Sequence, residues 1–136
     1  DEVDLNFESL GYEVITKTVL AKKSIDENDF QNAISLFKDI YVKISSSNIA
    51  KSSREVLLGQ YSENIVRLHM ELDDFENGDI FIKENMIHTA RFHDVAGDFY
   101  KYFGEDDEAN IQYDKALSFD MDESQRNLIN LKRPIK

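Results

Sequence analysis

Residues 90–123 read ARFHDVAGDFYKYFGEDDEANIQYDKALSFDMDE. Apolar and aromatic residues recur here at steps of three and four: Phe92, Val95, Ala96, Phe99 and Phe103, then Ala109, Tyr113, Ala116 and Leu117. That is the helical period. Gly104-Glu105-Asp106-Asp107 separates the two faces, a turn residue followed by acids that suit the opening of a helix. The stretch predicts helices over 90–103 and 106–119, folded back on each other as a hairpin. Two helices approach closely only where a small residue on one meets a large one on the other. Gly97, Ala109 and Ala116 are the small candidates; Tyr100 and Tyr113 are the large ones.

The same rhythm continues outward. Phe30, Ala33, Ile34, Phe37, Ile40, Tyr41 and Ile44 trace one face, and Leu57, Tyr61, Ile65, Leu68 and Leu72 another. Asp26-Glu27-Asn28-Asp29, Ser45-Ser46-Ser47-Asn48, Asp73-Asp74 and Asp120-Met121-Asp122 fall between faces. Asp and Asn suit helix N-caps, where a side-chain oxygen accepts an orphan backbone N–H. The only proline is Pro134, and strand-like alternation is scarce. An all-α fold of seven helices follows, at about 7–26, 30–45, 49–72, 75–88, 90–103, 106–119 and 122–132. Residues 1–136 have the length of one domain.

Residues 90–123 resemble the tetratricopeptide repeat, a helix–turn–helix unit of 34 residues. Ala96-Gly97 and Tyr100 match the pattern of its first helix, and Gly104 its turn. Ala109, Tyr113 and Ala116-Leu117 match its second helix. The usual closing proline is replaced by Met121. Weaker copies precede it. One spans 14–47, with Leu20-Ala21, Asp29-Phe30, Ala33 and Phe37. The other spans 59–89, with Ile65-Val66, Asp74-Phe75 and Gly78, but with Ile82 on the aromatic position and Asn85-Met86 on the small–large pair. The copies start 45 and then 31 residues apart. The resemblance implies stacked antiparallel hairpins, an α-solenoid, because one hairpin cannot bury its apolar face alone. The segment 122–132, with Leu128, Ile129 and Leu131, reads as a C-terminal capping helix.

Composition excludes several functions. With 27 Asp and Glu against 16 Lys and Arg, the net charge is −11. Such a chain does not favour phosphate backbones or anionic membranes, so no nucleic-acid or membrane partner is expected. The absence of Cys removes disulfides, thiol nucleophiles and thiolate metal ligands. The charge is uneven: residues 73–123 carry −11, residues 1–13 carry −5, residues 14–72 carry +1 and residues 124–136 carry +4. There is no Asn-x-Ser/Thr sequon, and a cytoplasmic location is the expectation. Because the chain begins at Asp1, it reads as a fragment or a processed form.

No reaction chemistry stands out. His88 and His93 are five residues apart across an expected helix boundary, a spacing that does not make an i, i+4 ligand pair. Glu105-Asp106-Asp107-Glu108 lacks the alternation of a calcium loop and reads as charge complementing a helix dipole. Ser45-Ser46-Ser47 is a polar loop without the flanking glycines of a nucleophile elbow. No metal, no cofactor and no enzymatic activity are expected.

The family resemblance implies a concave surface, lined by the first helix of each hairpin, that binds a protein or peptide segment. Through the repeat offsets it would include Lys22 from the first copy. From the second it would include Gln60, Glu63, Arg67, Met70 and Glu71, and from the third Arg91, Asp94, Asp98, Lys101 and Tyr102. One subtype of the family clamps acidic chaperone tails with Lys, Asn and Arg. Here Thr18, Lys22, Asn64, Asp94 and Val95 hold those positions, with Asp98 alongside, and the carboxylates would repel such a tail. The expected function is a non-catalytic interaction module. The alternative is the peptide-sensing or dimerisation domain of a Gram-positive transcriptional regulator whose helix-turn-helix domain lies outside this chain, in which case a homodimer is expected.

Overall fold

In a computed structural model, the chain is described over residues 2–134, with side chains from Ser9 onward. Among these residues there are seven helices and no strand: α1 (Glu2–Asp26), α2 (Phe30–Ser45), α3 (Lys51–Glu71), α4 (Phe75–Glu84), α5 (Ala90–Tyr102), α6 (Asp106–Leu117) and α7 (Glu123–Lys132). The fold class is as expected. Two boundaries differ from expectation by more than two residues. Helix α1 begins at Glu2 rather than near residue 7, and α4 stops at Glu84 rather than 88.

Helix α1 packs on α2, α2 on α3, α3 on both α4 and α5, α5 on α6, and α6 on α7. Two apolar cores result. Ala21, Ala33, Phe37, Ile40, Tyr61 and Ile65 belong to the first; Phe92, Val95, Phe99, Tyr100, Tyr113 and Ile129 belong to the second. Helix α3 joins them, giving Tyr61, Ile65 and Leu68 to one and Val66 to the other.

The hairpin turns share one backbone design. Asn28, Asp73 and Gly104 all adopt the left-handed region, at φ 61°, 51° and 78°. These positions are 45 and then 31 apart. At each, the left-handed residue's N–H returns to the carbonyl three residues back, and the following N–H returns to the carbonyl five back. The bonds run from Asn28 to Ile25 and Asp29 to Ser24, from Asp73 to Met70 and Asp74 to His69, and from Gly104 to Lys101 and Glu105 to Tyr100. This is a Schellman closure, which satisfies the last helical carbonyls. The next residue then caps the following helix. Asp29 accepts from the Asn32 N–H at 3.2 Å, and Asp74 from the Asn77 N–H at 3.2 Å. Asp122 does the same for Gln125 at 2.8 Å. Glu105 makes no side-chain cap, and there Asp106, Asp107 and Glu108 place negative charge in the first turn instead.

The expected small–large contacts are present. A Cβ at Gly97 would stand 2.5 Å from the Tyr113 ring, and a Cβ at Gly78 would strike Phe99. Ala109 and Ala116 are fully buried. The tyrosine hydroxyls are also used: Tyr100 donates to Asp79 at 2.5 Å and Tyr113 to Asp98 at 2.6 Å, tying α5 to α4 and α6 to α5. Burial and these carboxylates push both phenol pKa values up.

Helix α4 ends early for a tertiary reason. Asn85 turns extended, at φ −67° and ψ 130°, and its side chain is buried. Its Oδ1 accepts the Tyr41 hydroxyl at 2.8 Å, and its Nδ2 donates to the Ile87 carbonyl at 2.8 Å. Local periodicity favours continuing the helix, but the polar anchor from α2 holds Asn85 out of it.

Candidate concave-face binding site

The extended segment 85–89 delivers Thr89 as the cap of α5. Its hydroxyl accepts from the Phe92 N–H at 3.0 Å. His88 then occupies the position before the cap and His93 the fourth helical position, the two ends of a staple across a helix start. Here the staple is a pair of stacked imidazoles. Their centroids are 5.1 Å apart, with Nδ1 of His88 3.1 Å from Nε2 of His93. Helical spacing does not bring these rings together; the extended segment before α5 does, because His88 lies outside the helix. His93 is buried, and its Nδ1 lies 2.8 Å from Oε1 of Gln112. An amide oxygen only accepts, so Nδ1 of His93 donates and its Nε2 accepts the proton of His88. Burial pushes the His93 pKa down. Among the described residues no three His, Cys, Asp or Glu side chains gather as metal ligands.

The expected groove residues separate into three groups. Lys22, Gln60, Arg67 and Glu71 are exposed. Arg67 lines a cleft of about 360 Å³ with Ala90, Arg91, Asp94, Val95, Met121, Gln125, Leu128, Ile129 and Lys132. This cleft lies between α3, the first half of α5 and α7. Among the described residues Arg67 forms no ion pair, whereas Arg91 does.

The second group is used internally. Glu63 is buried at the α3–α5 contact, and its carboxylate takes Nε of Arg91 at 2.8 Å. Asp94 and Asp98 lie one turn apart on α5 and share Lys132 of α7, at 2.5 and 3.0 Å. Burial of Lys132 lowers its pKa, but the two carboxylates outweigh that and raise it. Its ammonium also stands 5.6 Å over the Tyr113 ring. Lys101 donates to the carbonyl of Lys132 at 2.5 Å, and the Tyr102 hydroxyl to Asp73 at 2.6 Å. Met70 alone makes the third group, half-buried against the second core.

Sequence reasoning read 122–132 as a capping helix but missed the ion pairs and hydrogen bonds that α7 makes. Its one buried residue is Ile129, which joins the second core, and polar contacts surround it. Arg126 donates to the carbonyls of Leu117 and Phe119 at 3.0 Å each, Arg133 pairs with Asp114, and the Pro134 carbonyl accepts from Asn110 at 3.3 Å. The +4 charge of residues 124–136 was the available signal. Sequence marks 122–132 as a capping helix but does not say which acids face its cations.

No described helix is long and apolar enough to cross a membrane. A family model described as Tetratricopeptide repeat-like domain matches residues 1–134. No curated protein and no solved structure matches the chain.

Proposed function

Because the chain belongs to the tetratricopeptide repeat-like domain family, whose members serve generally as non-enzymatic protein-interaction modules, we propose that its concave face binds a protein or peptide segment. The observation that carries this reading is the cleft between α3, α5 and α7. Val95, Met121, Leu128 and Ile129 give it an apolar wall, and Arg67 offers it a guanidinium that forms no ion pair among the described residues. A segment with an apolar residue beside a carboxylate complements both, since a guanidinium binds a carboxylate through two parallel hydrogen bonds. Lys132 offsets only one of the two charges of Asp94 and Asp98, so the segment's carboxylate belongs at Arg67 and its apolar residue beside α5 and α7.

The experiment is selection of displayed random peptides against the full chain, followed by titration of the recovered peptides. Arg67→Glu is expected to weaken them at least tenfold with the helical circular dichroism unchanged. Arg67 is the better probe than Arg91, because reversing Arg91 also strands Glu63. Peptides that bind the Arg67→Glu chain as tightly as the parent refute the concave-face reading.

A further inference from the structure

Asn77-Gly78 is the only step in the chain where glycine follows asparagine, and it falls in the first turn of α4. In an unfolded chain such a step reacts with itself. The backbone nitrogen of the glycine attacks the side-chain amide carbon of the asparagine, and ammonia leaves. Glycine has no Cβ to shield its nitrogen or to restrict its approach, so this step is the most open to the attack. Packing nevertheless demands the glycine here, because a Cβ at position 78 would stand 2.4 Å from the Phe99 ring. Asn77 itself is exposed.

Both reacting groups are held, and one residue holds them. The Gly78 N–H donates to the Asp74 carbonyl at 3.2 Å, so the attacking nitrogen keeps its proton and its helical direction. The Asn77 Nδ2 donates to Oδ2 of Asp74 at 2.8 Å. A carboxylate on the amide N–H feeds electron density toward the amide carbonyl and makes its carbon a poorer electrophile. It also ties the amide to a residue three positions earlier, whereas the attacking nitrogen lies one position later. The Asn77 amide is the main reason that the Asp74 carboxyl is held below the usual carboxylate range. The matching cap of α2 lacks both features. Asp29 accepts the Asn32 backbone N–H, but the Asn32 side-chain amide goes to Ser24 at 2.8 Å, and residue 33 is alanine.

We propose that Asn77-Gly78 is a site of spontaneous deamidation and that Asp74 is the latch that restrains it. When the first turn of α4 opens, the Gly78 nitrogen gives up its proton and bonds to Cγ of Asn77. The Cγ–Nδ2 bond breaks, and the amide nitrogen leaves as ammonia, carrying that proton. Water then opens the resulting succinimide at either carbonyl, leaving aspartate or isoaspartate. Either product sets a negative charge beside Asp74 where an amide donor stood. Isoaspartate also lengthens the backbone by a carbon inside the first turn, which removes the cap geometry of α4.

The test is to age the full chain at mildly alkaline pH, native and in guanidinium chloride, and to follow each asparagine by peptide mass spectrometry. In denaturant Asn77 is expected to convert faster than any other asparagine, Asn32 included. In the native chain it is expected to convert at least tenfold more slowly than in denaturant. Labelling of the product by an isoaspartyl methyltransferase is expected, since direct hydrolysis of the amide gives aspartate alone. Asp74→Ser and Asp74→Asn each keep an oxygen to cap α4 but lose the one that holds the Asn77 amide. Both are expected to convert at least threefold faster than the native parent, with helical circular dichroism unchanged. Another asparagine converting first in denaturant overturns the proposal, as does a native chain that converts as fast as the denatured one. A product without isoaspartate overturns the succinimide route. Folded Asp74 variants that convert at the parent rate overturn the latch.

Discussion

Replacing Gly97 by alanine sets two known effects against each other. Alanine in a helix interior is favoured over glycine by up to about 1 kcal/mol. The new Cβ, however, would stand 2.5, 2.6 and 2.8 Å from three atoms of the Tyr113 ring. That ring is fully buried, its hydroxyl is bonded to Asp98, and Lys132 stands over its face. It cannot swing aside without breaking those contacts. Overpacking of this kind costs about 1–3 kcal/mol, so a net loss of about 1–2 kcal/mol is expected after the helical gain. For a domain of this size the thermal midpoint should fall by about 3–6 °C. Urea unfolding followed by circular dichroism measures the loss, with an unchanged m-value showing that the same surface is exposed. Combining the change with Tyr113→Leu, which makes room, should recover at least about 1 kcal/mol of coupling. Gly11→Ala is the control and should gain about 0.5–1 kcal/mol, because nothing stands in its way. A Gly97→Ala chain as stable as the parent refutes the close crossing of α5 and α6.

Acid should weaken the fold before the carboxylates titrate. Burial holds His69 and His93 below the ordinary histidine value of about 6.5, so the unfolded chain takes up protons first. Their contribution is complete above that value and is lost as pH falls below it; urea midpoints between about pH 7 and pH 5 will show the decline. Both ring nitrogens of the buried His69 lack a hydrogen-bond partner, with Asp74 3.9 Å away. His69→Leu should therefore be neutral or stabilising by about 1–2 kcal/mol and should flatten that pH dependence, as chemical denaturation at pH 6 and 8 can establish. Lys132→Glu brings a third carboxylate to Asp94 and Asp98 and should release α7, read as faster amide exchange confined to residues 123–132. Asn28→Gly relieves a left-handed non-glycine residue and should add about 0.5 kcal/mol in thermal unfolding.

The helices and their pairing were legible because they rest on local pattern. Period, cap and turn residues act within a few positions of the chain, and Asp29, Asp74, Gly104 and Asp122 did so as their chemistry predicts. The small–large pair Gly97 and Tyr113 was legible because a family pattern records it. The groove was less legible. Repeat offsets assign residues to a face but not their partners, and Glu63, Asp94, Asp98 and Lys101 all proved to be held by Arg91 or by α7. The early stop of α4 depended on Tyr41, which lies 44 residues away from Asn85. The meeting of His88 and His93 depended on that stop. By itself, then, the sequence determined that this chain is all-helical, where most helices begin and end, and which small residues allow close packing. Only the tertiary structure decided which charges remain free, because pairing depends on what distant segments bring within a few ångströms. It left Arg67 open, closed the α5 carboxylates with Lys132, and exposed on α1 the stripe of Tyr12, Ile15 and Val19.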